Sequence, residues 1–391
     1  MSWKQKDSCY FKCDSNFEFK KGIAAFDFDD TLFTSLHGNK FPLDENDLKL
    51  LDTKMLENIS KLKDKYCIVI ISNQGGISKG KITLESAQKK LDKGAKILRN
   101  FGIPVIIIFS TQYDNYRKPH RNMWRELLNL SSKHSCNYLD INPLEIKENL
   151  PFIYVGDAAG RIKTKGYKKD FSTGDRMLAY NIRAQFFTPE IFMNNSIQPR
   201  KWIWGTQIYP IDKWYTNFIN EKHTEIPFIP HNLPEIIIMT GYQGSGKSSY
   251  SKYIKKINNY KIINRDTLGT IAKCEKKTIK YLKKHKSVII DNTNPSSKSR
   301  ANFIKIAKSL NIYIRSIWIS TSFEMSFHLN KMRTELTGKK SVPSVAYYVY
   351  RKNFEKPNTN EGFNTVIEVP FYPQFNDEST KSSFLCHYDT K

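Results

Sequence analysis

Ile23-Ala-Ala-Phe-Asp27-Phe-Asp29-Asp30-Thr31-Leu32 is an apolar run that ends in clustered carboxylates. Small and branched apolar residues without interruption read as a buried strand of a parallel sheet. Side chains alternate along a strand, so Asp27 and Asp29 share a face until the following turn redirects the chain. Carboxylates at the C-terminal edge of such a strand lie where α/β sheets bind ligands. Two of them repel each other unless a cation neutralises them, and an all-oxygen site favours Mg2+. One carboxylate can then attack a phosphorus atom while the other protonates the leaving oxygen. A solvated acidic turn is the plain alternative for this stretch taken alone.

Apolar runs at 22–28, 66–71, 103–109 and 152–155 read as strands, with helical patterns at 84–99 and 122–133 between them. That alternation predicts a parallel α/β sheet. Ser72-Asn73-Gln74 follows the second run and offers hydroxyl and amide donors at the same edge. Lys118, in Tyr116-Arg-Lys-Pro119, brings an ammonium that suits phosphate oxygens. Gly156-Asp157-Ala-Ala-Gly160-Arg161 follows the fourth run, and Asp157 is a third acid for Mg2+.

A second alternation has strands at 235–239, 261–263, 287–290 and 312–319, with helices at 247–257, 273–285 and 297–310. Its first strand leads into Gly241-Tyr-Gln-Gly244-Ser245-Gly246-Lys247-Ser248-Ser249, which fits GxxxxGK[ST] between a strand and a helix. Such a loop wraps backbone amides around the phosphates of a nucleotide such as ATP. Lys247 is expected on the β- and γ-phosphates and Ser248 on Mg2+. Asp266, in Asn264-Arg-Asp266, ends the next strand and is placed to accept a proton from an attacking hydroxyl. Asp291 follows the third strand and suits Mg2+. Arg333 is a candidate lid cation, with Lys331 as its competitor. Lys273, Lys276, Lys277, Lys280, Lys283 and Lys284 recur at helical spacing, as a solvated face or as a track for a phosphate backbone.

The chain has 391 residues, room for two domains, and a formal charge of +24. Its 62 cationic residues comprise 49 Lys and 13 Arg by count, so compositional drift toward Lys, Ile and Asn supplies part of that charge. The remainder suits a polyanion such as nucleic acid. No apolar run approaches the about 20 residues of a membrane helix, and residues 1–15 lack the apolar core of a signal peptide. Six scattered cysteines without a CxxC pair argue against a disulfide scaffold or a zinc site, and Cys9 with Cys13 lacks companion ligands. The expected division is 1–200, a Pro- and aromatic-rich linker at 201–233, and 234–391, with a loose tail beyond 376.

Strand-end acid pair, strand-end hydroxyl, lysine and strand-end Gly-Asp, in that order, resemble the haloacid dehalogenase-like phosphohydrolases. Longer strings extend the likeness: Val155-Gly-Asp-Ala-Ala-Gly-Arg161, Lys169-Asp-Phe-Ser172 with Asp175-Arg176, Asn264-Arg-Asp-Thr-Leu-Gly269, Ile290-Asp-Asn-Thr-Asn-Pro295 and Glu361-Gly-Phe363. From about residue 22 to residue 371 the chain resembles the bifunctional polynucleotide phosphatase/kinases. The resemblance implies a Rossmannoid phosphatase domain followed by a P-loop kinase domain. It implies that Asp27 is the nucleophile of an aspartyl-phosphate reaction on 3′-phosphate ends, and Asp29 its acid and then base. Asp27 and Asp157 would bind Mg2+ with the Asp29 carbonyl, while Ser72 and Lys118 would hold the phosphate. Asp266 would activate a 5′-hydroxyl toward ATP.

Three departures stand out. Asp30 replaces a glycine usual in the family, and Ser72 replaces a threonine. About 20 residues precede the first expected strand, so the phosphopeptide-binding domain of animal members is not expected. The implied partners are DNA or RNA strand ends upstream of a ligase, handled by a monomer that is neither secreted nor in a membrane. A nuclear location follows if the substrate is cellular DNA, and a cytoplasmic one otherwise. A metabolite phosphatase fused to a nucleotide or sugar kinase, and a decayed end-binding protein, are the rival readings.

Overall fold

The computed structural model describes residues 2–132, 152–194, 197–203, 211–221, 228–375 and 377–388. The last residue of the expected helix 122–133, parts of the linker 201–233 and of the tail beyond 376, and one of the six cysteines, Cys136, lie outside that set. The chain divides into two compact units, residues 1–210 with 334–340 and 386–389, and residues 211–333 with 341–385 and 390–391.

In the first unit the strands are β1 (Lys4–Lys6), β2 (Cys9–Cys13), β3 (Gly22–Phe26), β4 (Phe33–Ser35), β5 (Leu48–Leu50), β6 (Tyr66–Asn73), β7 (Val105–Ser110), β8 (Phe152–Val155) and β9 (Gln185–Phe187). Among the described residues seven of them form one sheet in the order β1-β2-β7-β6-β3-β8-β9. The central strand β3 pairs in parallel with β6 and β8, Ala24 lying opposite both Ile68 and Ile153. Every residue of β3 is buried. Ala24 and Phe26 enter one core while Ile23 and Ala25 enter the core on the other face, as the two-residue period dictates. From β3 the chain steps through β6 to β7 on one side, then returns to β8 on the other. The reversal opens a crevice at the C-terminal end of β3.

The parallel centre is as expected, but the edge is not. β1 and β2 join β7 through antiparallel pairs, so sheet structure begins well ahead of residue 22. A short, Lys-containing hairpin that turns at Asp7 (φ 52°) carries no strong alternation to mark it. After β3, the β4–β5 hairpin inserts a loop that one carboxylate gathers. Asp47 accepts hydrogen bonds from Ser35 Oγ (2.6 Å), His37 N (2.9 Å), Asn39 Nδ2 (3.0 Å) and Leu43 N (3.1 Å). Burial alone would raise its pKa, yet these donors hold it well below the usual range.

The helix Leu84–Asn100 starts at Thr83, whose hydroxyl accepts from Ser86 N at 3.0 Å. Ala87, Lys90, Leu91, Gly94, Ala95 and Leu98 form its buried face. Gly94 is there because nothing larger fits: a Cβ would lie 2.6 Å from the Phe28 ring and 2.9 Å from that of Phe33.

In the second unit β10 (Glu235–Thr240), β11 (Lys261–Ile263), β12 (Val288–Ile290), β13 (Tyr313–Ile319) and β14 (Thr365–Val369) form a parallel sheet ordered β11-β12-β10-β13-β14. Here too the order reverses around the central strand, between β12 and β13. The stretch read as linker contains a helix, Ile211–Asn220, whose Trp214 stacks on Phe218 and meets Phe371 and Phe384. The tail is not loose. It forms the helix Glu378–Phe384, capped by Asp377, and buries Phe384, Cys386 and Tyr388. The polar Asp-Ser-Thr composition there serves a helix N-terminus, while the aromatic residues beyond supply the packing. No helix among the described residues is long and apolar enough to cross a membrane.

Gly94→Ala should improve helix propensity yet lower the stability of this unit by about 1–2 kcal/mol, because overpacking against two buried rings outweighs the propensity gain. Thermal unfolding of the variant beside the parent protein measures the difference.

Candidate functional site

Both crevices carry the residues singled out in the sequence. In the first, Asp27 follows β3, its N–H bound to the Val155 carbonyl at 2.9 Å. Ser72 lies near the end of β6, and Asp157 lies just after β8. Lys118 arrives from the loop before the helix Asn122–Ser132 and is 5% exposed. Its ammonium sits 2.7 Å from Asp27 Oδ1, 2.7 Å from Asp175 Oδ1, 2.9 Å from the Ile71 carbonyl and 3.1 Å from the Tyr154 hydroxyl. Burial opposes a charge there, but Asp175 and Asp27 hold the Lys118 pKa above its ordinary value.

Asp175 was not anticipated as part of this pocket. It heads the helix Gly174–Asn181, fully buried, and its other oxygen accepts from Ala158 N at 2.9 Å. Its signal in the sequence was the Asp175-Arg176 string, which carried resemblance but no local geometry. Oxygens of Asp27, Asp157 and Asp175 all lie within 4.8 Å of one another.

Burial raises the Asp27 carboxyl, Lys118 lowers it, and Asp175 raises it again, leaving it well above the carboxylate range. Asp157 is raised for the same chief reason, burial, with Asp175, Asp27 and Asp30 adding repulsion. Asp157 Oδ1 is buried without a hydrogen-bond partner among the described residues. An orphaned carboxylate oxygen facing a second acid, with oxygen donors only, fits a hard divalent cation such as Mg2+.

Asp29 lies beside this group, half-buried. Its Oδ2 accepts from Gln74 Nε2 at 2.8 Å, and the same amide reaches Ser72 Oγ at 2.8 Å. Its Oδ1 accepts from Lys90 Nζ at 3.0 Å, a partner that sequence reasoning missed. The only hint was a lysine standing on the apolar stripe of its helix. Asp30 adopts φ 55°, the left-handed region that favours glycine. Aspartate tolerates it because its short side chain bonds locally. Here Oδ1 accepts from Thr34 Oγ1 at 3.1 Å, and the backbone N–H meets the Phe33 carbonyl at 2.7 Å. The glycine that the resemblance led one to expect here would adopt this backbone freely, and Asp30 adopts it too.

In the second crevice the loop after β10 turns through Gly241 (φ 154°), Gly244 (φ 75°) and Gly246 (φ 100°) into the helix Lys247–Asn258. At Gly244 a Cβ would stand 2.6 Å from the Ser326 carbonyl, so the helix Phe323–Thr337 packs directly on the loop. Ser245 is buried, while Ser248 and Ser249 are exposed on the first turn. Lys247 is buried, its ammonium on the Tyr242 carbonyl, and burial lowers its pKa to about 8 against the opposing pull of Asp291. Asp291 follows β12, and one of its oxygens is buried without a partner among the described residues. Burial raises its pKa, which a bond from Ser248 and the charge of Lys247 offset. Asp266, exposed, stands on the short helix Arg265–Leu268 after β11. Asn292 positions that turn by accepting from Arg265 N at 2.9 Å. Arg333 donates to Asn330 Oδ1 at 2.7 Å, and Asn330 abuts Gly244 of the loop. Lys331 instead lies over the Phe327 ring.

Strand-end acids with a buried lysine in one unit, and a phosphate-binding loop in the other, define a two-unit α/β protein of phosphoryl chemistry. Residues 22–193 match the family described as polynucleotide kinase 3 phosphatase, and residues 236–357 match one described as an AAA domain. The bifunctional polynucleotide phosphatase/kinase of Schizosaccharomyces pombe is 32% identical over 376 residues, covering 95% of this chain and 85% of that protein. A protein of Acanthamoeba polyphaga mimivirus, named as a candidate for the same two activities, is 33% identical over 416 residues, covering 98% and 94%. An uncharacterized protein of Autographa californica nuclear polyhedrosis virus is 37% identical over 172 residues, covering 44% and 85%. The chain belongs to the bifunctional polynucleotide phosphatase/kinase family. Its architecture is a haloacid dehalogenase-like phosphatase unit followed by a P-loop kinase unit.

Raised carboxyl pKa values carry a sign. Asp27 and Asp157 hold protons more tightly folded than unfolded, so without a cation their contribution to stability falls as pH rises from about 4 toward neutrality. Mg2+ competes with those protons, so its affinity should rise with pH and its binding should release protons. Thermal shifts between pH 5 and 8, with and without Mg2+, measure both effects. In Asp157→Asn the stabilisation by Mg2+ should be lost.

Proposed function

We propose that the first unit removes 3′-phosphates from strand ends and that the second phosphorylates 5′-hydroxyl ends with ATP. The supporting observation is the pairing of Lys118 with Asp27 at a strand end, in a chain whose relatives match along nearly its whole length.

In the phosphatase unit, assigned to residues 1–200, Lys118 and Ser72 hold the phosphate oxygens. An Asp27 oxygen attacks phosphorus, the bond to the 3′-oxygen breaks, and Asp29 gives that oxygen its proton. The product is a 3′-hydroxyl and an aspartyl-phosphate. Asp29, now a carboxylate, takes a proton from water as the water attacks phosphorus, and inorganic phosphate leaves. Lys118 favours the ionised nucleophile against the burial that opposes it. Asp27 and Asp157, with the Asp29 carbonyl, would hold Mg2+, which offsets the charge gathered by two anions meeting.

In the kinase unit, assigned to residues 234–391 beyond the linker 201–233, the loop Gly241–Ser249 receives the ATP phosphates and Lys247 meets the β- and γ-groups. Ser248 and Asp291 would hold Mg2+. Asp266 takes the proton of the 5′-hydroxyl as its oxygen attacks the γ-phosphorus and ADP departs. Arg333 is the lid cation. The two products, a 3′-hydroxyl and a 5′-phosphate, are the ends a ligase joins. A net charge of +24 suits a polymeric substrate with phosphates remote from the reacting end.

Asp27→Asn should lower 3′-phosphatase turnover by about 10²-fold or more and spare the kinase. Lys247→Ala should do the reverse. Release of phosphate from a 3′-phosphorylated oligonucleotide and transfer from labelled ATP to a 5′-hydroxyl oligonucleotide measure the two. A Lys247→Ala protein that still labels oligonucleotides sinks the kinase assignment. Transfer to free nucleosides alone favours a metabolite enzyme instead.

A further inference from the structure

Lys90 is 1% exposed, on the stripe of the helix Leu84–Asn100 that otherwise carries Ala87, Leu91, Gly94, Ala95 and Leu98. Apolar packing alone would put leucine or methionine there, since burying a lone ammonium is costly unless it is paired. Its Nζ donates to Asp29 Oδ1 at 3.0 Å and to the Pro42 carbonyl at 3.0 Å, with the Phe28 ring 5.6 Å away. Gln74 Nε2 takes the other Asp29 oxygen at 2.8 Å. Both oxygens of one carboxyl are thus fixed from two separate elements. The bare Cα of Gly94, one turn along, lets the helix come close enough for Lys90 to reach.

We propose that Lys90 is a positioning residue for Asp29, holding its carboxyl in the orientation from which it exchanges a proton with the 3′-oxygen and then with water. This rests on the role proposed above for Asp29. A proton passes efficiently only along a short, aligned path, and a carboxyl free to rotate loses that alignment. Lys90 exchanges no proton itself. Through the Pro42 carbonyl it also ties Asp29 to the loop that Asp47 gathers, so loop order and carboxyl orientation depend on one ammonium.

Leaving groups discriminate a positioning role from a purely structural one. A 3′-hydroxyl needs a proton to depart, whereas the phenolate of 4-nitrophenyl phosphate does not. Lys90→Met, similar in volume, should lower kcat on a 3′-phosphorylated oligonucleotide by about 10- to 100-fold with KM little changed. On the aryl phosphate the first turnover, which needs no proton for its leaving group and precedes the water step, should release 4-nitrophenolate within about 5-fold of the parent rate, which also shows that the variant is folded. Lys90→Arg should recover most of the oligonucleotide turnover. Equal losses in the first turnover of the two substrates, or an unchanged oligonucleotide kcat, would overturn the proposal. A parent protein without activity on 3′-phosphorylated ends would sink the underlying reading of the phosphatase unit instead.

Discussion

One buried ammonium makes the phosphatase pocket possible. Three carboxylate groups cannot share a space of this size out of water, because desolvation and mutual repulsion both penalise their charge. Lys118 lies against two of them, with a carbonyl and a hydroxyl beside it to share its remaining proton. The third, Asp157, keeps an oxygen without a partner among the described residues. One ammonium thus offsets one of three carboxylate charges, and the remaining two are what a divalent cation can balance. Asp175 belongs to this arrangement as much as the strand-end acids do, since it holds the same ammonium as Asp27 at the same distance of 2.7 Å.

Both units solve the placement problem in the same way. A central parallel strand whose neighbours come from opposite directions of the chain leaves its C-terminal end uncovered, and the residues after it become a binding site. In one unit those residues are carboxylates, in the other a glycine loop. The chemistry differs because the residues following the strand differ. The backbone frame is shared.

Much of this frame was legible in the sequence. Apolar runs such as 66–71 and 235–239 have one reading, and residues placed just after them have one address. The glycine loop is legible for a further reason, since its spacing is set by the size of a phosphate. Other features depend on contacts between distant segments. Asp175 is 18 residues beyond Asp157 and bears on it only after the loop folds back. Lys90 stands on the apolar stripe of its helix, but the partner it meets, Asp29, is 61 residues away and shows only in the fold. The φ of Asp30 is invisible to pattern, because an aspartate gives no sign of a left-handed backbone. The N-terminal hairpin and the C-terminal helix were missed because short polar segments gain their structure from the surfaces they cover.

That hairpin has a further bearing on how the molecule behaves at high concentration. β7 is buried along its whole length and without β2 would present six residues of unpaired backbone, Val-Ile-Ile-Ile-Phe-Ser, to any passing strand. Such a segment, rich in β-branched residues and free of charge, is a template for edge-to-edge aggregation. The hairpin replaces it with an exposed three-residue margin bearing Lys4 and Lys6. Protection against edge-to-edge pairing thus rests on two lysines of the sheet's outermost strand.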